Sequence, residues 1–220
     1  MSYLSRRLGL TRFEADEYYA QALDAFQNGD LDAAIDKLGF ALALLPQNSE
    51  YLAVRGLCYL EDGVAAEAKA DFEWALKIHD GEVLANYGMG ILAYQGKKWE
   101  EAIAWFNKAR AVNPMQVEIP YYLALIYHRQ QDNRTAKTYM EQAQQLMTNA
   151  GDKRRADAKR WIREFEKLIR QEKMPEPEPM MQTELPIQGA ASGTSVSQDA
   201  LGPGTTAGLP ATTDNDPQAS

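Results

Sequence analysis

A single cysteine, Cys58, stands among 220 residues, so no disulfide can form within one chain and a disulfide-stapled fold is excluded. A reducing compartment fits. Histidine is nearly as scarce. His79 and His128 are the only two, and neither pairs with Cys58 at metal-ligand spacing, so the chain offers no metal site and implies no cofactor. No apolar run approaches the roughly 20 residues needed to span a bilayer. Behind Arg6 and Arg7, the residues Gly9, Thr11 and Arg12 interrupt Leu8 and Leu10, which argues against a secretory signal. The expectation is a cytoplasmic protein. Basic residues are outnumbered, 23 Lys and Arg against 31 Asp and Glu. A formal charge of −8 argues against a nucleic-acid backbone as the principal ligand, because such binders release counterions through clustered Lys and Arg. Phosphate-cradling loops are missing too: Gly88-Met89-Gly90 has no strand before it. The chain is read as a non-enzyme.

What is present is periodic. Ala34, Ala68, Ala102 and Ala136 recur every 34 residues. Two further sets of small residues keep the same step: Ala22, Gly56, Gly90 and Ala124, then Ala41, Ala75, Ala109 and Ala143. Between these two sets stands a bulky apolar residue each time, Leu38, Phe72, Phe106 and Met140. Pro46 and Pro114 close two of the units, with Asp80 and Thr148 in that place in the others. Small residues at fixed spacing are what a closely packed helix pair requires, since any larger side chain would hold the backbones apart.

With Gly56-x-x-Tyr59 and Ala68-x-x-x-Phe72, Met89-Gly90 with Ala102-x-x-x-Phe106 and Pro114, and Leu123-Ala124-x-x-Tyr127, the chain resembles the tetratricopeptide-repeat family over about Ala15 to Ala150. Unit one departs in having Ala25 at the Tyr59 position. The resemblance implies an all-α fold, a right-handed superhelical solenoid of four antiparallel helix pairs, in residues 15–48, 49–82, 83–116 and 117–150. It also implies a scaffold that binds other proteins.

Around this array, Thr11-Arg12-Phe13-Glu14 has the form of a capping box and predicts the start of the first helix, so that residues 1–14 comprise an N-terminal arm and that helix start. Turns are expected at Asn28-Gly29-Asp30, Asp62-Gly63, Gln95-Gly96 and Gln131-Asp132-Asn133. The third is out of phase by one residue, which leaves Lys97 at the turn. Gly151 and Asp152 read as a helix end and a new N-cap. Beyond them Ala158, Trp161, Ile162, Phe165, Leu168 and Ile169 form a helical apolar stripe, predicting an amphipathic capping helix in 151–173 that covers the end of the stack. Arg154, Arg155, Arg160, Arg163, Lys167 and Arg170 occupy its other faces, as a patch for RNA or acidic lipid or as a solvated side that needs no ligand. Residues 174–220 turn rich in Pro, Gly, Ser and Thr, carry six acids and no base, and are read as a disordered tail. Its one apolar cluster, Met180-Met181 with Leu185-Pro186-Ile187, is either a short binding motif or chance.

Charge is unevenly spread. Residues 15–82 hold fourteen acids and four bases, residues 83–150 five acids and seven bases, and residues 151–173 five acids and nine bases. The family resemblance places the first helix of each pair on the concave face. Phase then converts into a groove of Tyr19, Leu23 and Phe26, Ala53, Leu57 and Leu60, Tyr87, Ile91 and Tyr94, and Tyr121, Leu125 and His128, bordered by Asp16, Glu50, Glu61 and Glu118. Leu57, Leu60, Ile91 and Leu125 are equally suited to packing between helices. Relatives that hold chaperone C-termini use Lys, Asn and Arg on these helices, whereas the corresponding positions here are Tyr19, Leu23, Val54, Leu84 and Gly88. The groove instead suits an apolar or amphipathic protein segment with basic flanks. Phe40, Trp74, Trp105 and Tyr139 are expected on the convex side, Trp74 near Trp105, as a contact patch or as helix packing. The alternative function is a self-assembling structural subunit, through that convex face or by exchange of the Tyr3-Leu4…Leu8-x-Leu10 arm. An RNA-binding helical repeat ranks below both.

Overall fold

The computed structural model describes residues 9–172, and residues 1–8 of the arm, Lys173 and the tail of 174–220 lie outside the described residues. Described secondary structure is entirely helical: α1 (Leu10–Gln27), α2 (Leu31–Leu44), α3 (Ser49–Glu61), α4 (Ala65–Ile78), α5 (Val83–Gln95), α6 (Trp99–Val112), α7 (Glu118–Arg129), α8 (Asn133–Ala150) and α9 (Arg155–Glu172). Each odd helix from α1 to α7 packs on the even helix that follows it, and each even helix packs on the next odd one. Helix α3 also touches α5, and α9 closes the series against α8. This is a helical repeat in which each unit is supported by its neighbours.

The repeated residues build the interior. The alanines at 34, 68, 102 and 136, those at 41, 75, 109 and 143, and Leu38, Phe72, Phe106 and Met140 have no exposed surface. A Cβ added to Gly56 would come within 2.6 Å of the Phe72 ring, and one on Gly90 within 2.6 Å of the Phe106 ring. Glycine stands opposite phenylalanine, while alanine (Ala22, Ala124) stands at the same offset from the narrower Leu38 and Met140. Size is conserved as a sum across the contact rather than at either position.

The turns share a left-handed residue at one phase, Gly29 (φ 78°), Gly63 (φ 80°), Lys97 (φ 56°) and Gln131 (φ 64°). The apparent irregularity at Gly96 is therefore a change of residue and not of geometry, and Lys97 and Gln131 each carry a strain of about 1–2 kcal/mol that glycine avoids. Asp30, Asn48 and Asp132 cap the following helices, accepting from the backbone N–H groups of Ala33, Tyr51 and Thr135 at 3.0–3.1 Å.

The start of α1 differs from expectation. Gly9, at φ 70°, is the N-cap, and no side chain caps the helix. Thr11 sits in the first turn with its hydroxyl oxygen buried and without a partner, so no capping box forms. The local T-x-x-E signal loses to burial of position 11 one turn ahead of Ala15. At the other end, Gly151 is a left-handed C-cap, as read. Asp152 accepts from the Arg154 N–H at 2.8 Å, but α9 begins only at Arg155.

Candidate functional site

The first helices of the pairs carry two aromatic groups. In the first, Tyr19 of α1 stacks on Tyr51 of α3 with ring centroids 4.7 Å apart. Their hydroxyls reach opposite ways: Tyr19 donates to Glu50 Oε1 at 2.8 Å, and Tyr51 donates to Asp16 Oδ1. Burial, then these carboxylate acceptors, push both phenols above their ordinary range. Two acids are thus fixed beside two rings where α1 meets α3. Leu23 and Phe26 are half-buried against the same core.

The second group centres on Tyr122 of α7. Its ring stacks on Phe106 (5.6 Å, 10° between planes) and meets Tyr87, Tyr94 and Tyr121 edge-on at 6.2, 5.3 and 6.1 Å. Tyr94 also meets Trp99 at 5.6 Å. Burial chiefly raises the Tyr87 phenol, with the Tyr122, Glu118 and Glu61 charges acting in the same direction, and Glu61 also bears on Tyr122. Two carboxylates therefore lie within electrostatic reach of this cluster. One of them, Glu118, already accepts from Arg154 at 2.8 Å.

Tyr122 was not singled out from the sequence, though a signal was present. It occupies the repeat position of Gly88, and a Cβ at Gly88 would lie 2.1 Å from the Phe72 ring of the preceding unit. That position faces the preceding unit's large residue, so an aromatic there must stack on Phe106.

Of the expected groove residues, Ala53 and Ile91 are buried and His128 is partly covered. Ile91 is buried in the second core cluster, because its stretch of α5 is packed between neighbouring units. His128 lies beneath the capping helix, its ring 5.7 Å from Trp161 and 5.2 Å from Phe165. Its Nδ1 is 2.8 Å from Asn133 Oδ1, and the Asn133 amide donates to Glu172 at 2.7 Å. Position 128 is therefore an anchor for α9.

The four second-helix aromatics occupy two repeat positions, Phe40 and Trp74 exposed, Trp105 and Tyr139 half-buried. Phe40 and Trp74 share a repeat position and are exposed, but at that phase α6 has Lys108. Trp105 and Tyr139 sit three residues earlier, at the position of Asp71. Trp105 packs into the core, and Tyr139 stacks on Tyr127 at 5.4 Å. Asp71 instead clasps Arg55 through two 2.7 Å hydrogen bonds. Trp74 and Trp105 share no ring contact among the described residues, and each lies under the lysine three positions on, Lys77 and Lys108. A three-residue shift rotates a side chain by about 60° around the helix, and at these positions that separates the exposed phase of Phe40 and Trp74 from the half-buried phase of Trp105 and Tyr139.

Cys58 is fully buried, and burial pushes its thiol up to about 11, so it stays protonated at neutral pH and serves as core filler. Among the described residues no group of acids, His and Cys could hold a metal ion, and no helix is long and apolar enough to cross a membrane.

Residues 19–68 match the family model described as tetratricopeptide repeat, and residues 84–131 match one described as TPR repeat. A DnaJ homolog subfamily C member 3 from Gallus gallus is 32% identical over 82 residues, 37% of this chain. The chain spans 16% of the length of that curated relative. A solved structure from a functional characterization of Pseudomonas aeruginosa pilF has a TM-score of 0.59 at 21% identity, covering 73% of this chain and 77% of that one. The first TPR of Spaghetti (RPAP3), bound to the HSP90 peptide SRMEEVD, gives a TM-score of 0.50 at 22% identity, covering 53% of this chain and 94% of the other.

Proposed function

We propose, since this chain is a tetratricopeptide-repeat protein, that it acts as a non-catalytic scaffold or adaptor whose first-helix face binds an apolar or amphipathic protein segment with basic flanks. Members of the family generally mediate protein–protein interactions. The observation that carries the reading is the pairing of aromatic rings with fixed carboxylates: Tyr19 and Tyr51 beside Asp16 and Glu50, and Tyr87, Tyr94, Tyr121 and Tyr122 beside Glu61 and Glu118. Rigid rings offer contact area at small entropic cost. The carboxylates favour Lys or Arg in the occupant and disfavour an acidic peptide such as the one in the RPAP3 structure.

Peptides selected by display against the full chain should combine aliphatic or aromatic residues with flanking Lys or Arg. Tyr121→Ala should weaken a selected peptide by about 2 kcal/mol, roughly 30-fold in Kd, at unchanged helicity. Tyr121 suits the test because it is only half-buried. Enrichment of acidic peptides, or full affinity in a folded Tyr121→Ala chain, would overturn the assignment.

A further inference from the structure

The two ends of the repeat array carry opposite charge on outward faces. At the N-terminal end, Phe13, Glu17, Ala20 and Asp24 fall at i, i+4, i+7 and i+11 of α1, all exposed, and Phe13 is 72% accessible. Glu14 and Asp16 flank this stripe, Asp16 lying 3.9 Å from Arg12, and Asp30, Asp32 and Asp36 of the first turn and α2 are exposed. From Glu14 to Asp36 there are seven acids and no base. At the C-terminal end, α9 buries Ala158 and Phe165 and turns Arg155, Lys159, Arg163 and Arg170 to solvent. The acids of α9 offset part of that charge, Glu166 bearing on Arg163 and Arg170, and are themselves paired. Glu166 is held by Lys137 of α8 at 2.9 Å, Asp157 by Arg160 and Glu164 by Lys167.

We infer that the occupant of each end is a second copy of this chain, the basic outward face of α9 docking head-to-tail on the acidic outward face of α1 and α2 in the next molecule. The surfaces differ from one another, so the contact is heterologous: every docked copy leaves one end of each kind open, and assembly propagates into linear chains. Both faces belong to rigid helices, which hold their charges in register. Exposed ion pairs contribute little singly, so the association rests on a multivalent array and is strongly salt-dependent. Exposed Phe13 adds an apolar contact within the acidic stripe.

The test is sedimentation velocity of the full chain over a concentration series. At ~10 mM salt, where the screening length is about 30 Å, the weight-average sedimentation coefficient should climb with concentration. At ~1 M salt, with screening at about 3 Å, it should return to the monomer value. The variant Arg155→Glu/Lys159→Glu/Arg163→Glu and the variant Glu14→Lys/Glu17→Lys/Asp24→Lys should each remain monomeric alone, since both ends then carry one sign. Mixed in equal amounts they should co-assemble, because each supplies the end the other lacks. All substituted positions are exposed, and helicity checks that the fold is kept. A wild type that is monomeric at every salt and concentration overturns the inference. So does a reversed variant that assembles like wild type, or a mixture that stays monomeric, the outcome expected if the tail or another acidic surface occupies α9.

Discussion

Phe165→Ala should lower the free energy of unfolding by about 3–5 kcal/mol, the range for removing a large aromatic side chain from a packed core. Phe165 has no exposed surface. Its ring lies 5.6 Å from Trp161 and 5.2 Å from His128, so it joins the capping helix to α7. Solvated ion pairs such as Lys137–Glu166 offset little of the loss. The deficit is a large share of the 5–15 kcal/mol typical of a whole domain. Stability in a repeat array is largely a sum of nearest-neighbour terms, so the loss should appear first in α7 and α8. Amide exchange there should accelerate while α1 to α4 remain protected, and chemical denaturation should give the total. A change below about 1 kcal/mol would mean that α9 sits on the stack without supporting it.

Gly56→Ala should cost about 1–3 kcal/mol although it adds a single methyl group, because that carbon would meet the Phe72 ring at 2.6 Å. Phe72 has little room to retreat, since its other side faces Gly88, where an added Cβ would be 2.1 Å away. Combining Gly56→Ala with Phe72→Leu recreates the Ala22–Leu38 pair of the first unit. The double variant should therefore lose less than the two single losses together, by on the order of 1 kcal/mol in a double-mutant cycle. Strict additivity would show that the two positions are set independently and that the alternation of small and large residues carries no steric meaning.

The parts of the fold that were legible in the sequence are those set by steric exclusion. A side chain larger than a methyl group is excluded where two helices cross in every unit, so Ala34 and its equivalents print a period that needs no knowledge of the neighbours. The left-handed turn residue is equally obligatory, yet only Gly29 and Gly63 announce it by type. At Lys97 and Gln131 the phase of the repeat outweighs the residue's own preference. The N-terminal cap was misread because Thr11-x-x-Glu14 is a local signal, while the burial of Thr11 is decided by the tertiary packing of α1.

The candidate site was legible only as a face. Helical phase identifies which helix side Tyr19, Tyr87 and Tyr121 occupy, but it does not say how deeply each is covered by the next unit. Ala53 and Ile91 are therefore closed off by their neighbours, and His128 is partly covered by α9. Tyr122 escaped because its contact is made across units, with Phe106, sixteen residues earlier. Trp105 and Tyr139 show the same limit in reverse. They look like Trp74 in residue type, but three positions on a helix decide whether an aromatic meets water or a partner helix.

The central claim is that partner segments dock on the first-helix face. It is tested most directly by placing p-benzoylphenylalanine singly at Tyr19, Tyr121, Phe40 or Trp74 in the full chain and irradiating it with a peptide selected on the wild type. All four positions retain access to solvent. The account predicts peptide crosslinks from positions 19 and 121 and background levels from 40 and 74. Crosslinks confined to positions 40 and 74 would contradict it and place the binding surface on the second helices.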